Sequence, residues 1–206
     1  MTPTEHLAAT RTALASLDAQ LGRLASIGQR LAEVLGRGGR CLVVGNGGSA
    51  AEAQHFTAEL VGRYGADRRP LSALALHAET SSLTAITNDF GASWAFARQV
   101  EAHGRAGDAL VALSTSGRSA NVLEAIRRAR SCELWTIGLT GSLRCPMAEL
   151  VDDLVAVEGP AFAVQEAHLV ALHLLCESID EVLAPDRTSA RVPRRAARGD
   201  AEAARR

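Results

Sequence analysis

Between residues 5 and 35, apolar positions recur at spacings of three and four: Leu14, Leu17, Leu21, Leu24, Ile27, Leu31, then Val34 with Leu35. That period lays one apolar stripe along an amphipathic helix or helix pair. The stripe has to be buried, either on the chain's own domain or at a subunit interface, and the interface is the expectation. From Arg40 the pattern changes. Short apolar runs at 41–44, 72–76, 109–113, 134–139 and 154–157 read as strands. Between them, helical patterns cover 50–64, 92–103, 120–130 and 163–183, with a short helix at 80–86. Strands alternating with helices predict an α/β fold with a parallel sheet covered on both faces. Ligands then bind beyond the carboxyl ends of the strands.

Three segments follow. Residues 1–36 form an N-terminal helical segment, 37–184 the α/β domain, and 185–206 a tail of Arg, Ala, Glu and Gly. The tail has almost no apolar bulk and is expected to be disordered.

Composition narrows the picture. A chain of 206 residues with 47% hydrophobic residues suits one domain with a substantial core. A net charge of -1 gives no broad basic surface, so no nucleic-acid partner is expected. No apolar run approaches the roughly 20 residues of a membrane span. No charged start precedes an apolar stretch, and a cytoplasmic location is expected. Cys41, Cys132, Cys145 and Cys176 form no CxxC pair and read as buried free thiols. The chain has no lysine, so all 22 basic residues are arginine. This excludes a Schiff-base aldolase, a pyridoxal-phosphate enzyme held by its own lysine, and a Walker-type NTPase.

Two loops carry candidate chemistry. After the first strand comes Gly45-Asn46-Gly47-Gly48-Ser49-Ala50, leading into a helix. Gly45, Gly47 and Ala50 satisfy G-x-G-x-x-G/A, the dinucleotide pattern, whose ribose-binding acid would be Glu79. Any anion loop at a helix start also wants glycines there. The second loop, Ser114-Thr115-Ser116-Gly117-Arg118-Ser119, places four hydroxyls and a glycine before a helix. Hydroxyls and free backbone N–H groups make a nest for one phosphate. Capping that helix would need Ser119 alone.

Further along, His55 and Glu59 are four apart on one helix face, and Gln165 and His173 can border one cleft from the last helix. His168, on the same apolar helix, reads as supportive. Asn88 and Asp89 suit either a turn or a sugar contact.

Taken in order, Asn46-Gly47-Gly48-Ser49 with His55 and Glu59, Asn88-Asp89-Phe90-Gly91, Ser114-Thr115-Ser116-Gly117-x-Ser119-Ala120-Asn121, Leu139-Thr140-Gly141, and Gln165-Glu166-x-His168 with His173 resemble the bacterial phosphoheptose isomerases of the sugar isomerase (SIS) domain superfamily. The match runs over roughly residues 5 to 183. The resemblance implies a three-layer αβα sandwich with a five-stranded parallel sheet, flavodoxin-like or Rossmann-like, preceded by N-terminal helices. It implies an aldose–ketose isomerase that converts D-sedoheptulose 7-phosphate to D-glycero-D-manno-heptose 7-phosphate through an enediol(ate). Glu59 would be the base and His173 the opposing acid/base. Asn46, Gly47, Gly48, Ser49, Asn88, Asp89, Ser114, Thr115, Ser116, Ser119 and Gln165 would bind the sugar phosphate. His55, Glu59, Gln165 and His173 would hold one Zn2+ per subunit. A homotetramer is implied, with His173 facing Glu59 from a neighbouring chain.

Heptose isomerases commonly carry an aspartate three residues before the glutamine; here that residue is Phe162. Two other readings within the superfamily stay open: a non-catalytic relative of the replication-initiator-associating type, and an isomerase of another phosphosugar.

Overall fold

Side chains of β1 (Cys41–Val44) alternate between two cores: Cys41 and Val43 enter one, Leu42 and Val44 the other. All four are fully buried, so helices must cover both faces. The computed structural model describes residues 1–65 and 67–184. The sheet adds β2 (Ala73–Ala75), β3 (Ala109–Ser114), β4 (Trp135–Thr140) and β5 (Asp153–Ala156), in the order β2-β1-β3-β4-β5. Every pairing is parallel, with Val44 opposite Ala112 and Ser114 opposite Thr140. The chain moves outward in one direction from β1 to β2, then returns past β1 to β3. The two strands flanking that reversal send their loops to the same end of the sheet, where open α/β sheets bind ligands.

Helices α1 (Pro3–Ala15), α2 (Leu21–Gly36), α3 (Gly48–Val61) and α7 (Ala161–Leu183) pack on one face. On the other face lie α5 (Ala97–His103) and α6 (Ala120–Ser131). Between β2 and α5, α4 (Thr80–Phe90) buries none of its residues. The result is the three-layer αβα sandwich expected, with helices ahead of β1.

Helix α1 starts where local chemistry dictates. The Thr2 hydroxyl accepts the Glu5 N–H, the Glu5 carboxylate accepts the Thr2 N–H, and Pro3 opens the first turn. The apolar stripe that follows does not wait for a partner chain. Leu24, Ile27, Leu31 and Leu35 are all buried in the chain's own core, where α2 packs along α7. These four side chains meet α7 within the chain, while Leu21 stays 47% exposed.

Most strand ends shift by one residue from the sequence expectation; two helices differ more. The short helix expected at 80–86 runs on to Phe90, where Gly91, at φ 87°, ends it. The single helix expected at 92–103 divides into a 3-10 turn (Ala92–Trp94) and α5. The break turns Phe96 and Val100 into the second core, with Ala97 buried beside them. All four cysteines are free thiols. No helix among the described residues is long and apolar enough to cross a membrane. The expected disorder of 185–206 lies outside the described residues.

Candidate active site

The loops after β1 and β3 meet at the carboxyl end of the sheet and are tied by a reciprocal amide pair. Asn46 Nδ2 donates to Asn121 Oδ1, and Asn121 Nδ2 donates to Asn46 Oδ1, each at 2.8 Å. Gly47 has φ 57°, which lets the chain turn directly into α3 at Gly48. The free N–H groups of two helix starts, α3 and α6, therefore face one region, and both favour an anion.

Serine hydroxyls line the second loop. Ser114 Oγ lies 3.4 Å from Ser116 Oγ and 3.1 Å from Ser119 Oγ. Ser119 occupies the N-cap position of α6, yet its side chain makes no capping bond. Capping therefore does not explain this cluster, whose hydroxyls and free N–H groups suit an anion such as phosphate. Gly117 sits in the turn at φ 63°, and a Cβ there would overlap Cys145 Sγ and Thr140 Oγ1. Gly117→Ala should destabilise the chain by about 1–3 kcal/mol, through strain and overlap together. Thermal unfolding should show a lowered midpoint, and a midpoint equal to the wild type would contradict the packing described.

A cleft between α3 and α7 continues from the first loop. It encloses about 490 Å³ and is lined by Gly48, Glu52, His55, Phe162, Gln165, Glu166 and their neighbours Ala51 and Leu169. That size suits a phosphosugar. Gln165 projects from α7 onto the start of α3, and any side chain at Gly48 would collide with its amide. Two turns on, His55 Nε2 and His173 Nε2 are 2.9 Å apart, one donating and the other accepting. Glu59 Oε1 is 3.6 Å from His55 Nε2. Gly48, His55 and Glu59 share one helix face, as their spacing requires. The structure thus brings His55, Glu59 and His173 together within one chain; His173 need not come from a neighbour to reach this group.

Phe162 also borders the cleft. Its ring lies 4.1 Å from the ring of His6 on α1, centroid to centroid. His6 Nε2 is 2.8 Å from Glu166 Oε1, and the Thr10 hydroxyl donates to the other Glu166 oxygen. Those two partners hold the Glu166 carboxyl below its usual range. The end of α1 is thereby fixed beside the cleft.

Asn88 and Asp89 fall on the last turn of α4 rather than in a turn, exposed, with Asn88 Nδ2 donating to Asp89 Oδ1 at 2.8 Å. The structure does not bring them to the α3–α7 cleft. Glu79, the acid that a dinucleotide would need, accepts the N–H groups of Ser81 and Ser82 and caps α4. His168 is fully buried, and burial pushes its pKa down to about 4, so the ring stays neutral. Sequence reading missed Glu52. It is buried in the cleft wall, and burial raises its carboxyl to about 7, with the Ser49 hydroxyl opposing. Its position four after Gly48 and three before His55 was the available signal.

The donor chemistry at His55, Glu59 and His173, two imidazoles and a carboxylate, suits zinc. Among the described residues, however, no group of three or more His, Cys, Asp or Glu side chains is arranged to hold a metal ion.

The comparisons agree with this geometry. The SIS-domain family model matches residues 5–141. A phosphoheptose isomerase of Streptomyces coelicolor is 58% identical over 157 residues, covering 76% of this chain and 68% of that protein. One from Bradyrhizobium sp. (strain BTAi1) is 47% identical over 185 residues, 88% of this chain and 93% of that protein. The solved structure of the Neisseria gonorrhoeae phosphoheptose isomerase GmhA superposes with a TM-score of 0.80 at 40% identity, over 87% of this chain and 97% of that one. With the serine nest, the α3–α7 cleft and this likeness over most of its length, the chain belongs to the phosphoheptose isomerases, enzymes of the SIS-domain family.

Proposed function

We propose that the chain interconverts D-sedoheptulose 7-phosphate and D-glycero-D-manno-heptose 7-phosphate, acting in the cytoplasm as a homotetramer. In this reading residues 1–36 support a phosphosugar-binding unit at 37–184. The observation that carries it is the meeting of Glu59, His55 and His173 beside a cleft that opens from the phosphate loops.

Ser114, Thr115, Ser116 and Ser119, with the N–H groups of Gly47, Gly48 and Ser49, hold the phosphate, and Asn46 and Gln165 border the sugar. Asn88 and Asp89, which α4 holds away from the α3–α7 cleft in one chain, would contact the sugar hydroxyls as the resemblance implies. The Glu59 carboxylate takes a proton from C1 of the ketose while protonated His173 gives one to the C2 oxygen, giving the enediol. His173 removes the O1 proton as C1 becomes the carbonyl, and Glu59 returns its proton to C2. No atom is gained or lost. His55, Glu59, Gln165 and His173 are the residues that would hold zinc. When bound, zinc would supply Lewis-acid polarisation of the substrate oxygens. Glu59 then has two roles, base and ligand, that compete for one carboxylate.

The test is proton NMR of purified protein with sedoheptulose 7-phosphate in D2O, with zinc and after chelation. Aldoheptose 7-phosphate carrying deuterium at C2 is expected, with a rate that falls when metal is removed. Absence of product under both conditions would overturn the substrate assignment. Product without deuterium would overturn a solvent-exchanging base.

A further inference from the structure

Gly48, Glu52, His55 and Glu59 follow one another along the face of α3 that looks onto the cleft. Three of them have a place in the reaction just described; Glu52 has none. It is only 7% exposed, and its Oε2 has no hydrogen-bond partner among the described residues. Buried carboxylate oxygens without donors are costly, and proteins seldom keep one for packing alone. The core does not require it, because Ala53, Phe56 and Leu60 supply the apolar contact of α3 with the sheet.

The cleft walls leave Oε2 unbonded: the Ser49 hydroxyl meets the Glu52 carboxyl without reaching Oε2, and the Gln165 amide, which also lines the cleft, makes no bond to it. Phe162, Leu169 and Ala51 have no polar side-chain atom. His55 Nε2 is engaged with His173, and Glu166 with His6 and Thr10. A ligand in the cleft can supply what the walls lack. With its phosphate on the loops after β1 and β3, the sugar's carbon chain would pass Glu52 before it reaches His55 and Glu59.

We propose that Glu52 is a sugar-binding residue, whose Oε2 accepts a hydrogen bond from a hydroxyl of the phosphosugar's carbon chain. The inference rests on the phosphosugar reading above, but not on the isomerisation. Glu52 selects for a polyhydroxylated chain, whereas the serine loop selects only for phosphate.

The experiment is calorimetric titration of wild type, Glu52→Leu and Glu52→Gln with sedoheptulose 7-phosphate and, separately, with inorganic phosphate. Glu52→Leu should weaken sugar-phosphate binding roughly 10- to 100-fold. Glu52→Gln keeps an acceptor oxygen without charge and should lose about several-fold. Phosphate binding should be unchanged in both. An equal loss for both ligands would make Glu52 a residue of the fold and overturn the proposal. Unchanged sugar-phosphate binding in both variants would also overturn it, and the Gln variant decides should the Leu variant not fold. If the variants lose sugar-phosphate binding while the wild type makes no aldoheptose, the inference stands and the isomerase assignment falls.

Discussion

Glu59→Gln should lower kcat by about 10²- to 10⁴-fold, the range that a positioned general base contributes. The change replaces one oxygen by NH2 and keeps the shape of the side chain. Glu59 is half-buried on the last turns of α3, so little stability should be lost. KM should move less than kcat, because a base acts on a proton that is transferred only in the transition state. Two further readouts separate the roles assigned to this carboxylate. Deuterium uptake at the carbon beside the carbonyl should vanish with the activity if Glu59 is the base. Zinc content should fall as well if it is a ligand. A variant that keeps its zinc but loses exchange isolates the base, and one that exchanges at the wild-type rate places the base elsewhere. His55 Nε2, 3.6 Å from Glu59 Oε1, is the neighbour to test next.

The fold was readable because strand and helix periods are local properties. Each of the five runs read as strands is one in the structure; β1, β3 and β4 are buried along their whole length, and a buried parallel strand must be apolar throughout. The two larger errors were at boundaries set by the third dimension. The sequence 92–103 is helical by period, but Phe96 and Val100 reach the second core only if the chain bends between Trp94 and Ala97. Of the stripe at 14–35, Leu17, Leu24, Ile27, Leu31, Val34 and Leu35 are buried while Leu21 stays exposed, and no period in one helix says which surface will meet it. At the site, spacing alone put His55 and Glu59 on one face. That α7 would carry His173 to within 2.9 Å of His55 depends on how α3 and α7 cross, which no local pattern encodes. Glu52 went unread for a different reason: a lone Glu one turn into a helix is usually solvated, and only burial distinguishes this one.

Arg68 illustrates the same limit and carries the largest stability prediction. In the sequence it stands in the charged run Asp67-Arg68-Arg69, with no pattern that marks it for burial. In the structure its guanidinium is buried. Nε donates to Asp180 Oδ1 at 2.7 Å, Nη1 to the Leu60 carbonyl at 3.0 Å and Nη2 to the Glu59 carbonyl at 2.9 Å. Gly65 N–H donates to the other Asp180 oxygen at 3.0 Å. The side chain thus closes the carboxyl end of α3 and fastens it to α7. Arg68→Ala leaves the Asp180 carboxylate buried without its guanidinium and the Glu59 carbonyl without its Arg68 donor, while the Leu60 carbonyl keeps the Leu71 N–H. The expected cost is about 3–5 kcal/mol, which lowers the unfolding midpoint by roughly 10 °C in a chain of this size. The double variant Arg68→Met, Asp180→Leu removes both charges and should regain most of that loss. Its activity should not recover with its stability, because the Glu59 carbonyl still lacks the guanidinium that fixes the last turn of α3. A double variant with wild-type stability and a lowered kcat would show that this ion pair positions the Glu59 carboxylate. One with wild-type kcat would confine Arg68 to holding the fold, and an Arg68→Ala chain within about 1 kcal/mol of wild type would contradict its burial as a charged pair.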